Sequence, residues 1–361
     1  MNFKRLGSVA AIVVAGTILL SSCAANEGGT GTDEVASDLA GTIAGAGASS
    51  QGSAQEAWQA AFQTANPDVT IDYDPSGSGA GREAFIAGGV AFAGSDSSLS
   101  DEEIAGGFEG CVPESGYIEV PAYISPIAVI FNVEGVTELN LDATTLASIF
   151  KGDITKWNDD AIAALNADAT LPDATITAVH RSDDSGTTKN FADYLGKNAP
   201  DVWDAEAADA FPYSGEAAAK TAGVVAAVTD GTNTIGYADA SQAGDLGVAK
   251  IKVGDEFVAY TAEAAAAVVA GSPAVDGRIA TDLAISLDRT TTDPSHYPLV
   301  LVSYLIACGE YTDAEAGTIA KAYLGYVTSE EGQATAASAA GAAPLTGDLL
   351  ANVATAIATI K

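Results

Sequence analysis

The segment Arg181-Ser182-Asp183-Asp184-Ser185-Gly186-Thr187 gathers a guanidinium, two carboxylates and three hydroxyls between an apolar run and a helix-like one. A guanidinium is a planar fork that suits two oxygens of a tetrahedral oxyanion. Ser185, Gly186 and Thr187 add hydroxyls and the first unpaired N–H groups of a helix, where the helix dipole favours negative charge. Asp183 is placed to pair with Arg181 and hold it, in a chain with only five arginines. Three further segments are built alike: Gly45-Ala46-Gly47-Ala48-Ser49-Ser50, Ser76-Gly77-Ser78-Gly79-Ala80-Gly81 and Gly94-Ser95-Asp96. Their glycines let backbone come close to a small ligand. Neither glycine-rich loop completes a nucleotide fingerprint: the first lacks the last glycine of G-x-G-x-x-G, and the second has Gly81-Arg82-Glu83 where a P-loop needs Gly-Lys-Ser/Thr. Taken singly, each segment also fits a tight turn or a capped helix with a surface ion pair.

The elements that must carry these segments alternate. Ala54, Ala57, Trp58, Ala61, Phe62 and Ala65 recur at helical spacing, and Asn66-Pro67 ends that helix. Strands are expected at 69–73, 117–120, 125–131, 174–179 and 234–238, and helices at 82–87, 146–150, 187–195, 217–228, 314–326 and 330–339. The run 299–307 is almost wholly apolar, as in a strand covered on both faces. This alternation predicts α/β layers with mostly parallel sheets. More than 300 residues exceed one small core, so two lobes are expected. Pro121 with Pro126, and Pro294 with Pro298, bracket candidate crossings. They define lobe I as 40–120 plus 295–361, and lobe II as 121–294.

Lys4 and Arg5 precede an apolar run, 9–20, that is too short to span a bilayer and ends in Leu20-Ser21-Ser22-Cys23. This is the layout of a secretory signal, residues 1–22. The small residues before Cys23 make it a lipidation site, with 23–39 a flexible tether. Export leaves Cys111 and Cys308 in an oxidising compartment, where a remaining pair suggests a disulfide; two buried thiols are the alternative. The formal charge of −33 excludes nucleic acid as a partner, since phosphate backbones require basic patches. Charge does not decide the ligand, because salt screens it over about 10 Å while a cage of N–H groups acts at contact.

In order and spacing these segments resemble the phosphate-binding proteins (PstS) of bacterial phosphate ABC transporters, from about Ile43 to beyond Ala307. Tyr73-Asp74-Pro75-Ser76-Gly77-Ser78-Gly79 and Phe92-Ala93-Gly94-Ser95-Asp96-Ser97-Ser98-Leu99-Ser100 are similar to two strand-to-loop segments of that family. Ile149-Phe150-Lys151-Gly152-Asp153-Ile154-Thr155-Lys156-Trp157-Asn158 resembles a marker of its second lobe. Arg181–Thr187 matches its most telling motif, and Thr234-Ile235-Gly236-Tyr237 a strand nearby. The resemblance implies a two-lobed periplasmic-binding-protein fold (type II), with each sheet flanked by helices and phosphate held in the cleft. It implies Ser49, Ser50, Ser78, Asp96, Arg181, Ser185, Gly186 and Thr187 as ligand contacts, and Asp183 as the support of Arg181. Ser49 and Ser50 stand where the family has Thr and Phe. Ser50 would act through its backbone N–H. The partners implied are inorganic phosphate and the permease subunits of an ABC transporter, with no cofactor. The expected form is a lipid-anchored monomer on the outer face of a Gram-positive, actinobacterial membrane.

Near neutral pH phosphate carries a proton and sulfate does not. An ionised Asp96 would accept from phosphate and face unprotonated oxygen in sulfate, and such a mismatch rejects by large factors. Arsenate passes the same filter. An enzymatic reading, phosphatase or Ser hydrolase with Ser185 or Ser78 as nucleophile, lacks a G-x-S-x-G elbow. It also has only His180 and His296 to serve as base or metal ligand.

Overall fold

A computed structural model describes residues 38–361; the expected signal, Cys23 and nearly all of the tether lie outside the described residues. The described chain lies in one compact unit. Its elements in order are β1 (Gly41–Gly47), α1 (Gly52–Ala65), β2 (Val69–Asp74), α2 (Ser78–Ile86), β3 (Phe92–Ser95), α3 (Asp101–Gly106), β4 (Tyr117–Asn132), β5 (Asn140–Leu141), α4 (Ala143–Lys151), α5 (Asp160–Leu165), β6 (Thr177–Arg181) and α6 (Gly186–Asn198). Then come β7 (Glu216–Ala218), α7 (Lys220–Asp230), β8 (Thr234–Asp239), β9 (Gly247–Val248), β10 (Lys250–Val253), β11 (Glu256–Val258), α8 (Ala262–Gly271), β12 (Val300–Cys308), α9 (Ala314–Val327), α10 (Glu330–Ala340) and α11 (Gly347–Ala358). Among the described residues no helix is long and apolar enough to cross a membrane.

The main sheet runs β2-β1-β3-β12-β4-β8-β6-β7, with β9 also on β4, and a small sheet pairs β11-β10-β5. Mostly parallel sheets were expected, and the main sheet is mixed. The trios β2-β1-β3 and β8-β6-β7 are parallel, whereas β12 and β4 pair antiparallel with their neighbours. The cause is β4. The two strands expected at 117–120 and 125–131 are one 16-residue strand. Its first part pairs with β12 and its last part, from Ile127, with β8.

The two prolines inside β4 sit where the ladder is already disturbed. Pro121 faces Tyr304 beside a register shift between Ser303 and Tyr304. Pro126 is the last residue before the strand changes partner. A proline lacks the N–H that an undisturbed ladder would use, so both positions tolerate it. Every residue of β12 is buried, which explains its apolar composition.

Local chemistry sets several boundaries. Helix α2 starts at Ser78, four residues before the expected Arg82, so the glycine-rich loop forms its first turn. The helix expected from Ala217 begins at Lys220, because 216–218 add β7 to the sheet edge. Ser185 caps α6 by accepting from Thr188 N at 3.2 Å, and Ser100 with Glu103 forms a capping box on α3. Cys111 and Cys308 form a disulfide, with Cα atoms 5.2 Å apart.

Candidate functional site

Asp96 follows β3 and is 3 % exposed. Its Oδ1 accepts from Ser50 Oγ at 2.6 Å and from Ser303 Oγ at 2.6 Å, and its Oδ2 accepts from Thr187 Oγ1 at 2.7 Å. Three of the roughly four acceptor positions of a carboxylate are thus filled by hydroxyls. Burial pushes the Asp96 carboxyl above its ordinary value, and the hydroxyls of Ser303, Ser50 and Thr187, then the Arg181 charge, act against that shift.

The β6–α6 loop supplies the cation. Arg181 is 3 % exposed and grips Asp183 with two nitrogens, Nε on Oδ1 at 2.8 Å and a terminal nitrogen on Oδ2. Asp183 Oδ1 also accepts from Lys220 N at 2.8 Å. Burial raises the Asp183 carboxyl, but the bonds and charge of Arg181 prevail and hold it below its ordinary value. Asp183 thus pairs with Arg181 through both carboxylate oxygens. At Gly186 a Cβ would stand 2.8 Å from Asp96, so only glycine lets the start of α6 meet the β3 loop.

Ser78, the first residue of α2, accepts from Asp96 N at 3.1 Å. Ser49 follows β1, and its Oγ accepts from Thr221 N at 3.1 Å. Ser49 Oγ also lies 3.0 Å from Thr221 Oγ1, and its carbonyl accepts from Gln242 Nε2 at 2.9 Å. The close approach of these loops depends on Gly47, where a Cβ would come within 1.9 Å of the Gly94 carbonyl oxygen. Ser49, Ser50, Ser78, Asp96, Arg181, Asp183, Ser185, Gly186 and Thr187 thus converge on the facing ends of β1, β3, β6, α2 and α6. Their distances in sequence give no hint of this.

Other members were not read from the sequence. Ser303 lies in the apolar run of β12. Asn190, one turn into α6, donates to Asp96 O at 2.7 Å. Arg82 reaches Glu103 at 2.8 Å, Ser95 at 2.9 Å, Ser97 at 3.0 Å and Asp209 at 2.6 Å. Asp209 also accepts from Ser97 Oγ at 3.0 Å, and its carbonyl accepts from Ser185 N at 3.0 Å. The Arg82 side chain joins the α2 side of the site to the loop before β7. Among the described residues no three His, Cys, Asp or Glu side chains gather as a metal site. His180 stacks on Phe211 and meets the Arg181 carbonyl through Nδ1, away from any serine hydroxyl in hydrogen-bond contact.

A family model described as a PBP superfamily domain matches residues 29–331. The chain is 35 % identical over 339 residues to phosphate-binding protein PstS 3 of Mycobacterium tuberculosis (strain ATCC 25618 / H37Rv), covering 90 % of each. The chain belongs to the PstS family of phosphate-binding proteins. It is also 33 % identical over 342 residues to PstS 2 of the same organism, again covering 90 % of each. Among solved structures it resembles a high-affinity periplasmic phosphate-binding protein (PfluDING) bound with phosphate, with TM-score 0.69, 23 % identity, and 87 % of this chain and 93 % of that one covered. A phosphate-binding protein from Stenotrophomonas maltophilia has TM-score 0.64 and 19 % identity over 87 % of this chain and 93 % of that one. At these identities the solved structures carry the fold alone: an α/β binding-protein architecture with a mixed sheet.

Proposed function

We propose that this protein captures inorganic phosphate and delivers it to the permease of an ABC transporter. The cleft lies between lobe I, 40–120 plus 295–361, and lobe II, 121–294. The observation that carries the reading is Asp96, a buried carboxylate ringed by hydroxyl donors and facing an arginine fixed by its own carboxylate. Oδ2 accepts one bond from Thr187, and its second lone pair suits a P–OH group. The N–H groups of Ser49, Ser50, Ser78, Gly186 and Thr187, the hydroxyls of Ser49, Ser78 and Ser185, and the Arg181 fork suit the remaining oxygens, while the Ser50 and Thr187 hydroxyls are given to Asp96. Binding across two lobes favours their closure.

The same reading makes the protein an exported one, lipid-anchored through Cys23 to the outer face of a Gram-positive membrane and monomeric. Its role is binding without turnover. Both phosphate-named relatives at 33–35 % identity support this.

Calorimetry on ligand-stripped protein from Ala24 onward tests it. One phosphate is expected per chain, with sulfate silent. Asp96→Asn replaces the acceptor by an amide and is expected to weaken phosphate by about tenfold or more, one charge-assisted bond being worth about 1.5–3 kcal/mol. A folded, ligand-free protein that gives no heat with phosphate would sink the reading. Turnover of a generic phosphoester would replace it with an enzyme.

A further inference from the structure

Behind Asp96 runs a buried line of side chains that phosphate contact does not require. Tyr323 on α9 donates its hydroxyl to Gln55 Oε1 at 2.8 Å. Gln55 Nε2 donates to Gln51 Oε1 at 2.8 Å. Gln51 Nε2 donates to Ser303 Oγ at 2.6 Å and to the Tyr304 carbonyl at 3.2 Å. Ser303 Oγ donates to Asp96 Oδ1 at 2.6 Å. Gln51, Gln55, Ser303 and Tyr323 are each 1 % exposed or less.

The direction of this line is fixed by chemistry. The Tyr304 carbonyl can only accept, so the Gln51 side chain must face it, and Ser303 with it, through its NH₂ group. Turning the amide over would set oxygen against oxygen in a buried site. An amide N–H can only donate, so Ser303 Oγ accepts from Gln51. Its single proton then goes to Asp96, the other hydrogen-bond partner of that hydroxyl. If the Ser303 proton pointed elsewhere it would be a buried, unpaired donor. Each bond polarises the next in the same sense. The line also needs Gly94, where a Cβ would stand 2.8 Å from Gln51 Oε1.

We propose that Tyr323, Gln55, Gln51 and Ser303 form a positioning chain that holds Asp96 as a pure hydrogen-bond acceptor, so that the cleft takes tetrahedral oxyanions carrying a proton and refuses those without one. This rests on the phosphate reading and assigns its selectivity to residues that never touch the ligand. Without the chain, Ser303 is free to accept, and a protonated Asp96 could donate to a bare sulfate oxygen. The other charged or titratable groups acting on Asp96 are Arg181, which favours its ionised form, and the buried Tyr73 and Asp239, whose titrations Asp96 in turn disfavours. The chain therefore works alongside Arg181 against burial.

The variants are Ser303→Ala, Ser303→Thr and Gln51→Met. The Asp96 carboxyl is followed by carbon-13 NMR of aspartate-labelled, ligand-free protein, its resonance assigned by its loss in Asp96→Asn. Phosphate and sulfate affinities are measured by calorimetry on the same samples. Ser303→Ala and Gln51→Met are expected to raise the Asp96 pKa by about one unit or more. They are also expected to lower the phosphate-to-sulfate preference by about tenfold or more, part of it through new sulfate binding. Ser303→Thr keeps the hydroxyl and is expected to restore both values. An Asp96 titration and an anion preference unmoved in a folded Ser303→Ala protein would overturn the proposal. Should Gln51→Met fail to fold, the Ser303 pair decides alone. A wild type that binds no phosphate sinks the reading of the cleft, and the carboxyl titration still decides whether the chain controls Asp96.

Discussion

The ion pair between Arg82 and Asp209 should act as a clasp on the closed cleft. Arg82 belongs to α2 and Asp209 to the loop before β7, and their side chains retain 9 % and 14 % of their exposure. Asp209→Asn keeps the shape and removes the charge. Arg82 stays paired with Glu103 at 2.8 Å, so no uncompensated charge is left behind. What is lost is one charge-assisted bond at 2.6 Å and part of the Ser97 bond at 3.0 Å, together about 1.5–3 kcal/mol. If the pair forms only when the cleft closes, the whole loss falls on closure, and phosphate affinity drops roughly ten- to hundredfold. The loss should appear in the release rate, since the open form still meets ligand as before. Calorimetry gives the affinity and stopped-flow release gives the rate. A double-mutant cycle with Arg82→Gln isolates the pair, and a coupling energy below about 0.5 kcal/mol would refute the clasp.

Two further outcomes concern stability. Burial pushes the Asp239 carboxyl up to about 6, with its Oδ2 unpartnered. The unfolded value is near 3.9, so the folded state keeps this proton longer. Its contribution is then fullest below about pH 4 and is lost as pH rises through 6, by up to about 3 kcal/mol. Asp239→Asn should gain on wild type by that amount between pH 4 and 7 in urea unfolding; a difference that does not change with pH contradicts the assignment. The Cys111–Cys308 bridge closes a loop with a sequence separation of 197, which the chain-entropy model values at up to about 5 kcal/mol. Replacing both cysteines by serine should lower the melting temperature and leave phosphate affinity alone, because Cys308 lies about 17 Å along β12 from Ser303; calorimetry and a melting scan check both halves.

Contiguity decided what could be read from the sequence. Arg181, Asp183, Ser185, Gly186 and Thr187 were legible because one loop carries them, and the helix start that positions them has its own capping signal at Ser185. Asp96, Ser49, Ser50 and Ser78 were legible through short segments of similar build. Ser303 was not, because a lone serine in an apolar strand looks like a tolerated interruption, and its meaning comes from Asp96, 207 residues away. Gln51 and Gln55 look like the polar face of a helix. Arg82 and Asp209 are 127 residues apart, and neither position announces the other. The continuity of β4 was hidden by Pro121 and Pro126, which normally mark breaks; here they mark a register shift and a change of partner.

The acidity of the chain and the capture of an anion are compatible once the charges are counted locally. Asp183 offsets Arg181, and Asp96 leaves the nearest fixed charges at minus one before any ligand arrives. Charge attraction is therefore a poor candidate for the binding energy of a divalent oxyanion here. The donors that remain are neutral: the serine and threonine hydroxyls and the backbone N–H groups at the starts of α2 and α6, backed by helix dipoles that cost nothing to orient. A cage of this kind discriminates by the number and direction of its hydrogen bonds, which salt screens little at contact distance. It also makes the single acceptor decisive. Where every other group donates, one carboxylate held as an acceptor is the feature that tells a protonated oxyanion from a bare one.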